Sequence, residues 1–410
     1  MESRAVAMMS ARAAIEHADS WTVAHGAKLD PFLWRDADEA EAQRKAFSEV
    51  CIYLYTCGGP SPALQALSDD LVRIATTDRY LDLVRRDWAN LPLYAQPLLY
   101  ALVRAAVVPR IRKLLCEEVD PIRLMGIERP PYRAMEIWHF YRAAGIEGFP
   151  LTLDEIEAVS CLRFPPCAIQ AGAMSAYALT HAVFYATDFG SGRPGFRRAG
   201  DYRRFVPLLE VLILRFIGER HWDVALELAI CQLLIAGAPS AATILLCDLV
   251  RSQLESNGVV TPPPGTEARS DRPMDVWRAH YHTMLVAGLF FRLLERSGAQ
   301  QSAFGGDRGH ALLLCEGLAN LGQQDLYRGA TILARVSQMP GAGDFAAGFD
   351  AALAYVRSRR SAGGGYGNLG DEEIVLRQRY GSEEAARLVA EAIARQNTAC
   401  DEFLAVPWRA

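Results

Sequence analysis

Lysine is nearly missing from this chain. Of its 43 basic residues only Lys28, Lys45 and Lys113 are lysine, so positive charge here means arginine. Acidic residues are in excess, giving a net charge of −5 and a pI near 6.0, which argues against general binding to nucleic acid or an anionic membrane. Long apolar runs are missing too. The longest, 205–217, is broken by Glu210 and Arg215 and is too short to span a bilayer. The opening MESRAVAMMSARAAIEH lacks a continuous apolar stretch and carries Glu2, so no secretory leader is expected. The nine cysteines contain no Cys-x-x-Cys. Their nearest spacings, Cys51/Cys57 and Cys161/Cys167, are no zinc pattern, which leaves reduced, mostly buried thiols in a soluble cytoplasmic protein. Strand signals are scarce, with no sustained alternation and no Asn-Gly hairpin between apolar runs.

What is present is helical periodicity over an ample 51% of hydrophobic residues. The spacing predicts helices over 38–56, 63–75, 79–88, 94–106, 108–117, 131–144, 153–162 and 173–188. An exposed Gly/Arg loop at 190–199 follows, then helices over 201–218, 221–236 and 240–256. The segment 257–273, with three consecutive prolines, reads as a loop. Helices resume over 275–295, 309–321, 325–338 and 344–359; GGGYGNLG at 363–370 is a connector, and 371–380 with 382–396 forms a closing pair. The implied organisation is an N-terminal arm (1–36), one helical domain (37–360) and a C-terminal helical pair (371–410).

Three of the predicted helices open on the same signal. Asp223-Val224, Asp275-Val276 and Asp325-Leu326 lie 52 and 50 residues apart, and Asp275-x-x-Arg278 and Asp325-x-x-Arg328 share an arginine. Asp70 with Arg73 and Asp120 with Arg123 fit the phase, and Ser175 falls where a further member is due; Asp82 with Arg85 matches out of phase. Each Asp also reads as an ordinary cap or first-turn carboxylate. Either way, helix pairs at a period near 50 imply six or seven stacked α-hairpins. Inner helices apolar on most faces favour closure into an α/α toroid over an open superhelix.

Alternating outer and inner helices at this period resemble the α/α toroids of class II terpenoid cyclases, protein prenyltransferase β-subunits, lanthionine cyclases and six-hairpin glycosidases. The resemblance covers most of the chain but is one of pattern: the terpenoid-cyclase DxDD acid and the lanthionine-cyclase zinc triad are absent, so no functional residue carries over. The block YALTHAVFYATDFG is also similar to proteins of actinomycete natural-product clusters.

That block holds the clearest candidate for chemistry. Tyr177, His181, Tyr185 and Asp188 fall at i, i+4, i+8 and i+11, one polar stripe on a helix otherwise small or apolar. A buried helix must give such side chains partners or a cavity. The expected catalytic set is His181 as base, oriented by Tyr177 or Tyr185, with Asp188 orienting an imidazole and His282 as second proton-transfer group. The expected substrate-binding set is Asp275, Arg278, His221, Trp222, Trp277, Tyr327 and Arg328, offered by first turns of neighbouring inner helices; Asp275 would orient imidazoles and the arginines hold an anion. For His181 and His282 the plain alternative is a satisfied core histidine, for His221 a cap, for the tryptophans core packing. His139 and His310 read as structural or exposed, His280 as outward-facing. Glu227, among leucines and alanines, is a buried carboxylate.

Other motifs fail. Asp188-Phe189-Gly190 matches a kinase DFG in letters only, GGGYG lacks the lysine of a phosphate loop, and no GxSxG occurs. The expected function is an enzyme doing cyclisation, elimination or isomerisation by acid/base chemistry on a small molecule or peptide, without a dinucleotide cofactor. Two alternatives remain: a non-catalytic helical-repeat scaffold for a peptide or partner protein, and a metal-dependent hydrolase or oxygenase with His181, Asp188 and His282 as ligands. No nucleic-acid or membrane partner is expected.

Overall fold

In the computed structural model, the described residues are 9–33, 37–104, 108–119, 121–268, 273–299, 303–361, 365–366 and 382–406, and among them no strand occurs. Short polar side chains start many of the helices. Ser10, Thr77, Thr152, Ser240, Asp307 and Asp325 each accept a first-turn amide, meeting donors that have no partner inside the helix. In chain order the helices are α1 (Ala11–Ala24), α2 (Ala37–Thr56), α3 (Gln65–Ala75), α4 (Asp78–Arg86), α5 (Leu91–Arg104), α6 (Val108–Lys113), α7 (Pro121–Met125), α8 (Pro131–Ala143) and α9 (Leu153–Ala158). Then follow α10 (Ala173–Thr187), α11 (Val206–Gly218), α12 (Trp222–Ala236), α13 (Ala241–Asn257), α14 (Pro273–Arg296), α15 (Arg308–Gly322), α16 (Leu326–Val336), α17 (Ala346–Ser358) and α18 (Ser382–Ala405).

Six of these helices position the polar groups discussed below. α2 packs on α5, α5 on α8, α8 on α10, α10 on α12, α12 on α14, and α14 on α2. Their first residues, 37, 91, 131, 173, 222 and 273, are 54, 40, 42, 49 and 51 apart. Side-chain pairs show neighbours running in the same direction. Glu136 and His139 of α8 meet Tyr185 and Asp188 at the end of α10, and Tyr177 and Thr180 of α10 meet Asp223 and Glu227 of α12. Likewise Arg278 and His282 of α14 meet Glu39 and Glu49 of α2. Successive parallel helices need an intervening segment to return the chain, which is why the starts recur at about two helix lengths.

Several expectations need correction. The fourth expected inner helix, α16, packs on α15 and α18 and leaves Tyr327 exposed, so it does not continue the series. Its Asp325 is a plain N-cap accepting the Arg328 amide. Asp70 lies inside α3 and pairs with Arg73 at 3.0 Å, so the aspartate spacing does not mark equivalent positions. Residues 11–24 of the expected arm form α1, which packs along α14; there Arg292 donates to both Asp19 carboxylate oxygens at 2.8 and 2.6 Å. The expected helix 201–218 breaks at Phe205, with Pro207 in the first turn of α11, where its missing amide costs nothing. The expected helix 371–380 and most of the connector 363–370 lie outside the described residues. None of the described helices is long and apolar enough to cross a membrane.

α11 joins the six helices to α15–α18, and the joint is a close one. A Cβ on Gly218 would sit 2.2 Å from the Cys315 carbonyl oxygen of α15. Backbone on both sides cannot swing aside as a side chain would. Gly218→Ala is therefore expected to lower unfolding free energy by about 1–3 kcal/mol in urea titrations; an unchanged midpoint would contradict this crossing.

Candidate functional site

α10 and α12 are apolar nearly all round, and several of their few polar groups face a neighbouring helix. Those groups converge. Asp223 and Glu227, one turn apart on α12, are both buried. Asp223 accepts from the Tyr177 hydroxyl and lies 2.7 Å from His221 Nδ1. Glu227 accepts from Thr180 at 2.6 Å and lies 3.7 Å from His181 Nδ1. From α14, His282 reaches into the same cluster, its Nε2 lying 3.4 Å from Glu227 and 3.9 Å from Asp223. Its Nδ1 faces Glu49 of α2 at 3.2 Å. Lys45, one turn back on α2, stands at the edge with Nζ 3.7 Å from Glu49.

Hydrogen-bond accounting fixes the protonation of one imidazole. Both ring nitrogens of His282 face carboxylates, and only the doubly protonated ring satisfies both. The electrostatics agree. Burial opposes charge on this ring most strongly, but Glu49 and Glu227 overturn it and raise its pKa to about 10. Burial likewise pushes the Glu49 carboxyl up; His282, Lys45 and the Tyr281 hydroxyl outweigh it and bring it down to about 2. Asp223 is lowered in spite of burial by His221, His282 and Tyr177. Burial and the Asp223 charge push the Tyr177 phenol far up, so that hydroxyl stays protonated.

His181 and His221 are held differently. His181 Nδ1 donates to the Tyr177 carbonyl at 2.7 Å, and its Nε2 has no protein partner among the described residues. His221 turns Nδ1 to Asp223, again leaving Nε2 open. The Tyr177 ring touches both, 6.1 Å from one imidazole and 6.3 Å from the other. Although helices surround the cluster, water reaches it: His181 is 24%, His282 26%, Glu49 18% and His221 17% exposed.

The cluster departs from the expected set in several places. Asp188 is not part of it. It ends α10 in a left-handed turn with φ of 48°, followed by Phe189 at 52°. There it accepts from His139 Nε2 at 2.8 Å, the Tyr55 hydroxyl at 2.7 Å, Arg193 Nε at 2.6 Å and Ser191. Burial would raise this carboxyl, yet the bonds from His139 and Arg193 hold it far below the usual range. A triad of His181, Asp188 and His282 around one metal is thereby ruled out. Among the described residues no three His, Cys, Asp or Glu side chains are placed to hold a metal. His139, read from sequence as structural or exposed, is fully buried as the partner of Asp188.

Tyr185 does not orient His181; its hydroxyl donates to Glu136 at 2.9 Å, and Arg133 holds the other Glu136 oxygen at 2.7 Å. Tyr177 orients His181, but through its backbone carbonyl. Arg278 does not face a substrate anion, because Glu39 takes it in a two-point pair at 3.0 and 2.9 Å, with Asp275 beside it. Trp277 is buried and stacks on Tyr281 at 5.0 Å, and Trp222 packs half-buried against the core, so both fill rather than line. Tyr327 and Arg328 lie on the outside, where Arg328 pairs with Glu316 at 2.8 Å. Sequence reasoning missed Glu49. Its signal was the one that marked Glu227: a carboxylate set among Phe47, Val50 and Cys51 in an apolar stretch.

Residues 16–291 match the model of a family described as a domain of unknown function (DUF6895). The match spans about two thirds of the chain, takes in five of the six packed helices whole, most of α14 and every residue of the cluster, and stops before α15–α18. No curated protein and no solved structure shows significant similarity.

Two consequences can be measured. The His282 pKa is raised from its ordinary 6.5 to about 10, so its pairing contributes fully below pH 6.5 and is lost as pH rises through 10. The Glu49 pKa falls from 4.5 to about 2, so that contribution is present above pH 4.5 and is lost as pH falls toward 2. From these two groups, urea midpoints should be highest between those limits and fall on either side, with the His282 imidazole signal titrating near 10; titration near 6.5 would refute the clamp. Separately, Asp188→Asn removes the buried charged acceptor shared by His139, Tyr55 and Arg193 and should cost about 1–3 kcal/mol by the same unfolding measurement.

Proposed function

We propose that this chain, a member of the DUF6895 family, is a cytoplasmic enzyme whose six packed helices close into an α/α toroid around a water-accessible hollow. The packing of α14 on α2 and of α5 on α8 supports closure, since it leaves no unpaired end in the series. In the hollow the enzyme performs acid/base chemistry on a small molecule or peptide: a cyclisation, elimination or isomerisation that uses its own side chains and needs no dinucleotide. His181 removes the proton through Nε2. The imidazolium so formed returns that proton at the second position, and His221, pinned through Nδ1 by Asp223, is a second acceptor beside it.

His282 takes a different part from the second proton-transfer group read from sequence. Both its N–H groups are engaged with carboxylates, so it serves as a fixed positive charge that keeps Glu49 and Asp223 ionised together. The observation that carries this reading is the pair of imidazoles flanking Tyr177, each pinned through Nδ1 and open at Nε2. A core histidine satisfied on both sides has no such open nitrogen.

The test compares small-molecule and peptide extracts of cells producing the native chain with those producing His181→Ala or His221→Ala. A compound made by the native chain and absent with His181→Ala is expected, with the melting temperature within about 2 °C of the native value. An unchanged extract accompanied by a large drop in melting temperature would show His181 to be a packing residue.

A further inference from the structure

Resting on the reading above, the cluster also indicates what class of molecule it binds. Its own donors are spent. Tyr177 gives its hydroxyl hydrogen to Asp223, Thr180 to Glu227 and Tyr281 to Glu49, while both His282 N–H groups face carboxylates. The Nδ1 hydrogens of His181 and His221 are taken by the Tyr177 carbonyl and Asp223. What stays open is of one kind: acceptors. These are the two Nε2 lone pairs and the unused lone pairs of three carboxylates, which accept only. Charge points the same way. Three carboxylates face one imidazolium, and the nearest other cation, Lys45, is 59% exposed at the edge and already within 3.7 Å of Glu49. Two arginines of the packed helices, Arg133 and Arg278, are paired with Glu136 and Glu39.

A ligand entering such a site must bring hydrogen-bond donors and positive charge. We infer that the hollow binds its substrate through a protonated amine, seated between His181 Nε2, His221 Nε2 and the Asp223 and Glu227 carboxylates. The ring of Tyr177, 6.1 Å from His181, supplies aromatic surface beside this position, which favours an ammonium group further. A carboxylate or phosphate ligand would meet only like charge and lone pairs.

The test uses the full chain and two probes of equal carbon number, n-butylammonium chloride and sodium butyrate. Each is titrated at constant ionic strength to about 50 mM, enough to fill a site even of about 10 mM Kd. The imidazole carbon-bound proton signals are followed by NMR. The ammonium salt is expected to shift His181 and His221 saturably and butyrate to leave them in place. Glu227→Gln or Asp223→Asn should weaken the ammonium response about tenfold. Saturable shifts with butyrate, or none with either salt, would overturn the inference; the two-salt comparison on the native chain decides it even if a variant does not fold. Loss of product in His181→Ala together with no ammonium response would overturn only the amine assignment and leave the acid/base reading standing.

Discussion

Charge held inside an apolar helix assembly is the constraint on which the rest of this structure depends. A carboxylate on α12 has no water shell to retreat to, so each one must find partners on the neighbouring helix. Asp223 and Glu227 reach α10 on one side and α14 on the other, and α14 repeats the arrangement toward α2 through His282 and Arg278. Apolar packing alone would allow these helices to slide or rotate past one another. The polar contacts admit one register, because a shift of a single turn would leave an ion buried without its counterpart. The candidate site is thus also what fixes the alignment of the helices that build it.

The molecule separates this cluster from a second buried network by a short distance and a difference in character. At the end of α10, Asp188 gathers His139, Tyr55, Ser191 and Arg193 into a closed set in which the carboxylate has every lone-pair direction used. Around Asp223 and Glu227, imidazole nitrogens remain open and water has access. The two sets share one helix and similar residue types. Saturation marks the first as structural, and incompleteness marks the second as the place for a ligand.

Much of the architecture could be read from the chain because periodicity and capping are local. Helix positions followed from apolar spacing, and the recurrence near fifty residues appeared at α10, α12 and α14. The recurrence misled where it rested on aspartates alone, since an aspartate serves equally as a cap at Asp325 and as a surface pair at Asp70. The polar stripe of α10 was visible, but Tyr185 stands about 80° round the axis from Tyr177, and Asp188 lies past the last helical residue in a left-handed turn that re-aims it. Tyr177 and His181 therefore meet α12, whereas Tyr185 and Asp188 meet α8 and its surroundings. Glu49 stayed hidden because its partner His282 is more than two hundred residues away, and only the folded chain makes that pairing evident.

The position of α14 has a consequence for how the chain comes to be folded. Among its contacts are α1 and α2, made well before it, through Arg292 with Asp19 and His282 with Glu49. Pairings of such long sequence separation carry a large loop-closure cost and form late. During synthesis the early helices must then wait, their buried carboxylates still hydrated, until residues near 290 emerge. A nascent chain that stalls before that point would present Asp19 and Glu49 unmatched, an acidic and partly apolar surface suited to chaperone binding.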